Sequence, residues 1–190
     1  MKNGEKKTLY LVDGTALTYR SYFAFIRNPL INSRGEDTSA AFGFTSTLVK
    51  LIREHEPDCL AVVFDTGKPT FRHEMYGEYK ATRQKMPADM IEQLPRVREA
   101  VDALGIVSLE VEGFEADDVI GTLAVGGAKE GFDVFMVTGD KDFMQLVGES
   151  IRMYVPGKEM VVGADEVKEQ FGVPPERIID LLGLMGDASD

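Results

Sequence analysis

The sequence predicts an α/β fold on a mostly parallel sheet flanked by helices, and three observations carry that prediction. Short β-rich apolar runs alternate with longer stretches at helical spacing, as in sheets whose strands are joined by helices. Within the longer stretches apolar residues recur at i, i+3 and i+4, as Phe44, Leu48, Leu51 and Ile52 do. At 190 residues and 44% hydrophobic content, the chain matches one ordinary globular domain with a sizeable core.

In order, the first strand is "TLYLVD" (8–13), followed by a helix over 16–25. A second helix over 39–55 leads to the strand "CLAVVFD" (59–65). A helix over 88–103 precedes "IVSLEV" (106–111), and another over 116–130 precedes "DVFMVTGD" (133–140). A helical stretch over 141–147 leads to "IRMYV" (151–155), and two more, over 164–171 and 175–185, complete the pattern. No internal repeat or low-complexity linker interrupts it, so a single domain over 1–190 is expected.

Composition narrows the function classes. No apolar run approaches the roughly 18 residues of a membrane span, and the N-terminus lacks the apolar stretch of a signal peptide, so the expectation is a cytoplasmic protein with no membrane partner. The single cysteine, Cys59, cannot form an internal disulfide and reads as a small buried hydrophobe at the start of a strand. His55 and His73 form no metal-binding pair and read as surface residues. A net charge of −11 argues at first against nucleic acid, whose binders carry basic patches.

The position of the acids changes that argument. Parallel sheets bind ligands at the carboxyl ends of their strands. There Asp13 ends the first strand, Asp65 the second, Glu115, Asp117 and Asp118 follow the third after a short loop, and Asp140 and Asp142 follow the fourth. Each alone is an ordinary helix cap or first-turn acid. Four strands delivering acids to one rim is a different matter, because like charges about 4 Å apart repel by about 4 kcal/mol at an effective dielectric near 20. Such a rim needs cations or raised pKa values, and oxygen-only donors suit Mg²⁺ or Mn²⁺ rather than zinc. On a helix Asp117 turns away from Glu115, so the three acids of "VEGFEADD" converge only if Glu115 lies in a loop and the helix starts at Ala116 or Asp117.

Across from the acids runs a basic strip. Between 68 and 85, Lys68, Arg72, Lys80, Arg83 and Lys85 outnumber Glu74 and Glu78, and Tyr76, Tyr79, Lys80 and Arg83 fall at helical spacing. Cations interleaved with rings suit phosphates and stacked bases, although a solvated helix face is the plain alternative. Arg20, in the helix after Asp13, offers a further phosphate contact. With Asp187 and Asp190 added to the seven acids above, nine of 32 acids belong to the site, leaving 23 against 21 bases. The remainder is close to neutral.

The blocks "LVDGTALTYRSYFA", "AVVFDTGKPTFRHEMYGEYKATRQKMP", "EGFEADDVIGTLA", "VTGDKDFMQLV" and "LLGLMGDASD" occur in this order, and together they resemble the 5' nuclease domain of bacterial DNA polymerase I, in the superfamily of flap endonucleases. The resemblance runs from Leu9 to Asp190 and implies a PIN-like nuclease fold with a helical gateway over the acidic site. It implies that Asp13, Asp65, Glu115, Asp117, Asp118, Asp140, Asp142, Asp187 and Asp190 hold metal, and that Arg20, Lys80 and Arg83 contact phosphate. Tyr79 would lie in the gateway, and Arg72 in the same strip is counted with the DNA-binding residues. In the family "GDASD" leads into a helix-turn-helix that grips duplex DNA, then into the polymerase; the expectation here is a catalytic domain that stops short of that part.

The chemistry expected is two-metal hydrolysis of DNA phosphodiesters at 5' ends and flaps, RNA–DNA hybrids included, with Asp13, Asp65, Glu115, Asp117 and Asp140 as the inner cluster. Lys80 and Arg83 would neutralise the scissile phosphate. A PIN-type ribonuclease shares the acids but lacks the long basic strip, and a metal- or DNA-binding fragment without catalysis is the rival from another class. A haloacid-dehalogenase-like phosphatase is disfavoured because "DGT" lacks that family's second Asp, and no GxxxxGK[ST] phosphate loop occurs.

Overall fold

The computed structural model describes residues 6–81 and 83–186. The chain runs β1 (Thr8–Asp13), α1 (Gly14–Ala24), α2 (Ser39–His55), β2 (Cys59–Val63), α3 (Phe71–Met75), α4 (Ala88–Ile91) and α5 (Leu94–Ala103). It continues through β3 (Val107–Leu109), α6 (Ala116–Lys129), β4 (Asp133–Val137), β5 (Ile151–Val155), β6 (Met160–Val162), α7 (Ala164–Phe171) and α8 (Ile178–Met185). Single stretches of 3-10 helix cover Lys141–Leu146 and Pro175–Arg177.

The six strands form one sheet in the order β3-β2-β1-β4-β5-β6, parallel except for the antiparallel pair β5–β6. From β1 the sheet grows outward through β2 on one side and β4 on the other. Chain connections therefore diverge at the carboxyl ends of β1 and β4 and open a crevice there. Both faces are covered. Tyr10 and Val12 of β1 pack with Phe44, Leu48, Val97 and Val101 beneath α2 and α5, while Leu11 packs with Ile120, Met136, Phe143 and Ile178 on the α6 side. Gly14 is required at the start of α1, because a Cβ there would lie 2.6 Å from the Phe64 ring and 2.7 Å from Val62.

The mostly parallel α/β architecture is as the sequence predicts, and the departures have physical reasons. The 88–103 stretch breaks into α4 and α5 around Glu92 and Gln93, with Pro95 in the first turn of α5, where its missing N–H costs nothing. β2 ends at Val63 and β4 at Val137, so Asp65 and Asp140 stand just beyond the sheet. β3 shortens to three residues, the 141–147 stretch is 3-10, and β6 goes unpredicted because "MVV" is short and lies beyond a turn. The basic strip is helical only over α3, and Tyr76, Tyr79, Lys80 and Arg83 lie in turns and irregular chain, so their helical spacing is not realised as a helix.

Cys59 is exposed rather than buried, since β2 is sealed only from Ala61 onward. His55 and His73 are half-buried: His55 contacts the rings of Tyr10 and Tyr154, and His73 accepts at Nδ1 from the Thr70 N–H. No helix among the described residues is long and apolar enough to cross a membrane.

Candidate active site

The acids arrive at the rim by two routes. Asp13 ends β1, is almost fully buried, and caps α1 by accepting from the Ala16 N–H at 2.8 Å. Its other oxygen accepts from the Thr138 hydroxyl at 3.2 Å, and the same hydroxyl accepts from the Asp140 N–H at 3.2 Å. Asp65 accepts from the Ala116 N–H at 2.8 Å and its own N–H donates to Thr15 Oγ1 at 3.0 Å. Asp140 accepts from the Asp142 N–H at 2.9 Å. Backbone donors thus fix three of the four strand-end positions.

The fourth position is the mouth of α6. Helix α6 begins at Ala116 with Glu115 as an extended N-cap, the arrangement that lets all three acids converge. Asp118 accepts from the Glu115 N–H at 3.1 Å and forms a two-pronged pair with Arg72, both contacts 2.7 Å. Glu115 accepts from Lys80 Nζ at 2.8 Å and from the Tyr79 hydroxyl at 3.1 Å. The basic strip therefore overhangs the rim and is held by two of its acids. His73 packs edge-on against Tyr79, ring centres 5.3 Å apart. A cleft of about 420 Å³ between strip and rim is lined by Lys80, Arg83, Asp117, Asp140 and Asp142 among others.

Electrostatics mark the members under repulsion. Burial and then the charges of Asp13, Asp140 and Asp65 push the Asp117 carboxyl up to about 7. Burial, aided by Asp65 and Asp140, raises Asp13 to about 6 against the lowering effect of the Ala16 N–H. Four carboxylates thus face one another closely enough to repel. Asp118 moves the other way, lowered by its hydrogen bonds from Arg72. Burial opposes the charge of Lys80, but its bond to Glu115 more than offsets this and raises its pKa.

Closely facing oxygen donors, with the Asp13 and Asp117 carboxyls raised, fit hard divalent ions, whose charge would relieve the repulsion. Among the described residues no three Asp, Glu, His or Cys already stand in coordinating positions, so side chains must turn to hold an ion. Asp187 and Asp190 lie outside the described residues. Arg20 is on the opposite flank of the rim, in a separate cleft that shares Asp140 with the first.

The sequence reading missed the hydroxyls of Thr138 and Thr15, which orient Asp13 and fix the backbone at Asp65 and Asp140, and the ring contact of His73. Thr138 could have been noticed as the one polar residue of "MVTGD" between an apolar strand and an acid. Nothing local signals Thr15 or His73, whose partners are 50 and six residues away.

Comparison with known proteins decides the family. Residues 8–172 match the family described as 5'-3' exonuclease, N-terminal resolvase-like domain. The chain belongs to this family. DNA polymerase I of Bacillus subtilis is 44% identical over 98% of the chain, which spans 21% of that relative's length. The 5'-3' exonuclease of Aquifex aeolicus is 41% identical over 97% of the chain, which spans 63% of it. A bacteriophage T5 flap endonuclease, solved as a pseudo-enzyme-product complex with DNA and metal ions, superposes with a TM-score of 0.73 at 23% identity, covering 97% of this chain and 68% of that one. That likeness establishes the fold. This member of the family carries buried carboxylates at its strand ends and cations in the overhanging strip.

Proposed function

We propose that this domain hydrolyses DNA phosphodiester bonds at 5' ends and 5' flaps with the help of two divalent ions, Mg²⁺ or Mn²⁺. The observation that carries the reading is the group Asp13, Asp65, Asp117 and Asp140, facing one another at the strand ends beneath a strip of cations and rings. Family membership supports it.

Asp13, Asp65, Glu115, Asp117 and Asp140 would hold the ions, with Asp118, Asp142, Asp187 and Asp190 serving the second ion or acting through water. Bound metal supplies an acidified water and charge for the leaving oxygen. The protein supplies the rest. Lys80 and Arg83 hold the phosphate, and Tyr79 gives a face on which a base can stack. Lys80 sits at φ +55, a left-handed conformation that costs a non-glycine residue about 1 kcal/mol or more. Its bond to Glu115 offsets that strain, so the cation is held over the rim before substrate arrives. Arg72, through its pair with Asp118, anchors the strip. Water adds to phosphorus and the P–O3' bond breaks, leaving a 3'-hydroxyl on one product and a 5'-phosphate on the other.

The reading takes in RNA–DNA hybrids at primer ends, a place of action in the cytoplasm, and the 190 residues as one catalytic domain. The test is cleavage of 5'-labelled flapped DNA, a hybrid flap and single-stranded RNA side by side with Mg²⁺. Flap cleavage well above RNA cleavage is expected. RNA cleavage alone would replace this reading with a ribonuclease of similar fold.

A further inference from the structure

On the side of the rim away from the basic strip lies a second cleft, of about 480 Å³, between α1 and the turn joining β5 to β6. Its apolar lining comes from Leu17, Val137, Val155 and Pro156. Arg20 and Lys158 bring two cations to it, and Thr138 and Asp140 join it to the acidic rim.

The two cations are arranged in a way their own neighbours do not explain. Arg20 lies against Gly157 so closely that a Cβ there would be 1.9 Å from its guanidinium Nη2, so the turn leaves room for that side chain. The adjacent acid of the turn, Glu159, is drawn to Lys50 of α2 instead. Among the described residues, neither Arg20 nor Lys158 pairs with a carboxylate, in a chain of net charge −11. An apolar floor beside two unneutralised cations suits a ligand with a flat apolar body and a dianionic end.

We propose that this cleft is a nucleotide subsite: it seats one nucleoside monophosphate unit, base and sugar over Leu17, Val137, Val155 and Pro156, phosphate between Arg20 and Lys158. The phosphate goes to the cationic end because Asp140 repels it at the other. The floor offers no ring of donors to read base edges, so purines and pyrimidines bind within about threefold of each other. The site extends the nuclease reading to the far side of the rim, where either a nucleotide still in its strand or a released mononucleotide carries the same chemistry. Its occupancy does not depend on turnover.

The experiment titrates dTMP and dAMP into EDTA-treated protein and follows backbone amide signals. Expected are shifts at Ala16, Gly139, Gly157 and Lys158, with affinity lowered roughly tenfold in Lys158→Ala, an exposed turn position, through loss of a charge-assisted contact. Gly157→Ala displaces Arg20 and weakens binding too. A tetrathymidylate blocked at its 5' end that binds more tightly than dTMP, and loses that gain in Lys158→Ala, identifies the strand as the source; equal affinities identify the free nucleotide. Shifts confined to Gly121 and Thr122 in the strip-side cleft, or affinity unchanged in Lys158→Ala, overturn the proposal. Flap cleavage measured on the same protein after Mg²⁺ is restored keeps the two readings apart: cleavage without nucleotide binding here sinks the subsite alone, and binding without cleavage sinks the nuclease reading alone.

Discussion

Five of the rim's acids fall into two kinds. Asp13, Asp65 and Asp140 take hydrogen bonds from backbone N–H groups, so their places are set by the sheet and the helix starts. Glu115 and Asp118 are held mainly by Lys80, Tyr79 and Arg72, side chains of an irregular strip, with one local backbone bond from the Glu115 N–H to Asp118. The first group is fixed before any ligand arrives; the second depends on cations that are themselves counted among the DNA-binding residues. A phosphate that draws Lys80 or Arg72 away also frees a carboxylate for metal. Substrate and ion would then enter together.

The largest expected effect comes from the fixed group. Asp13→Asn should lower Mg²⁺-dependent flap cleavage on the order of 10³-fold. Thermal stability of the metal-free protein should hold or rise, because a repelled buried charge is removed. A cleavage loss accompanied by unfolding would break the comparison. On the held side, Lys80→Ala should cost on the order of 10²-fold in single-turnover cleavage. An effect on cleavage as large as that of Asp13→Asn would show that the two groups do not differ.

The pH dependence of stability sharpens the contrast. Asp13 and Asp117 have folded pKa values raised to about 6 and about 7 from 3.8, so the folded chain binds more protons than the unfolded chain between about pH 4 and 7. Their contribution is full below about pH 4 and is lost as pH rises through those values. Without metal, denaturant unfolding should therefore show a loss on the order of 4 kcal/mol between pH 5 and 8, and Asp117→Asn or added Mg²⁺ should remove much of it. Asp118 has the opposite sign: its lowered pKa stabilises above about pH 4 and is lost on further acidification, outside that window. The smallest effect is Arg72→Ala, expected to cost about 1 kcal/mol because the pair is partly exposed. Amide exchange in the strip should rise more than at the strand ends.

The same division explains what the sequence made legible. Asp13, Asp65 and Asp140 follow apolar strands, and strand period with strand end is a local signal, so the fixed half of the rim could be read directly. A start of α6 at Ala116 or Asp117 followed from helix geometry, because the three acids converge only if Glu115 lies before the helix, and the helix starts at Ala116. The strip could be read for charge but not for shape. Its conformation comes from Arg72 reaching Asp118, 46 residues on, and Lys80 reaching Glu115, 35 residues on, and those contacts override the helical spacing of its rings and cations. Arg20 was legible as a cation but not the cleft it enters, which needs β6 and its turn. Cys59 misled because apolar neighbours in sequence did not mean cover in space.

The most direct measurement is cleavage of a 5'-labelled DNA flap by the wild-type chain with Mg²⁺, by the same chain with EDTA, and by Asp140→Ala with folding confirmed. Cleavage is expected in the first and none above background in the other two. Cleavage that survives Asp140→Ala, or a folded wild-type chain that cuts no flap with Mg²⁺ or Mn²⁺, would contradict the assignment of nuclease chemistry to this rim.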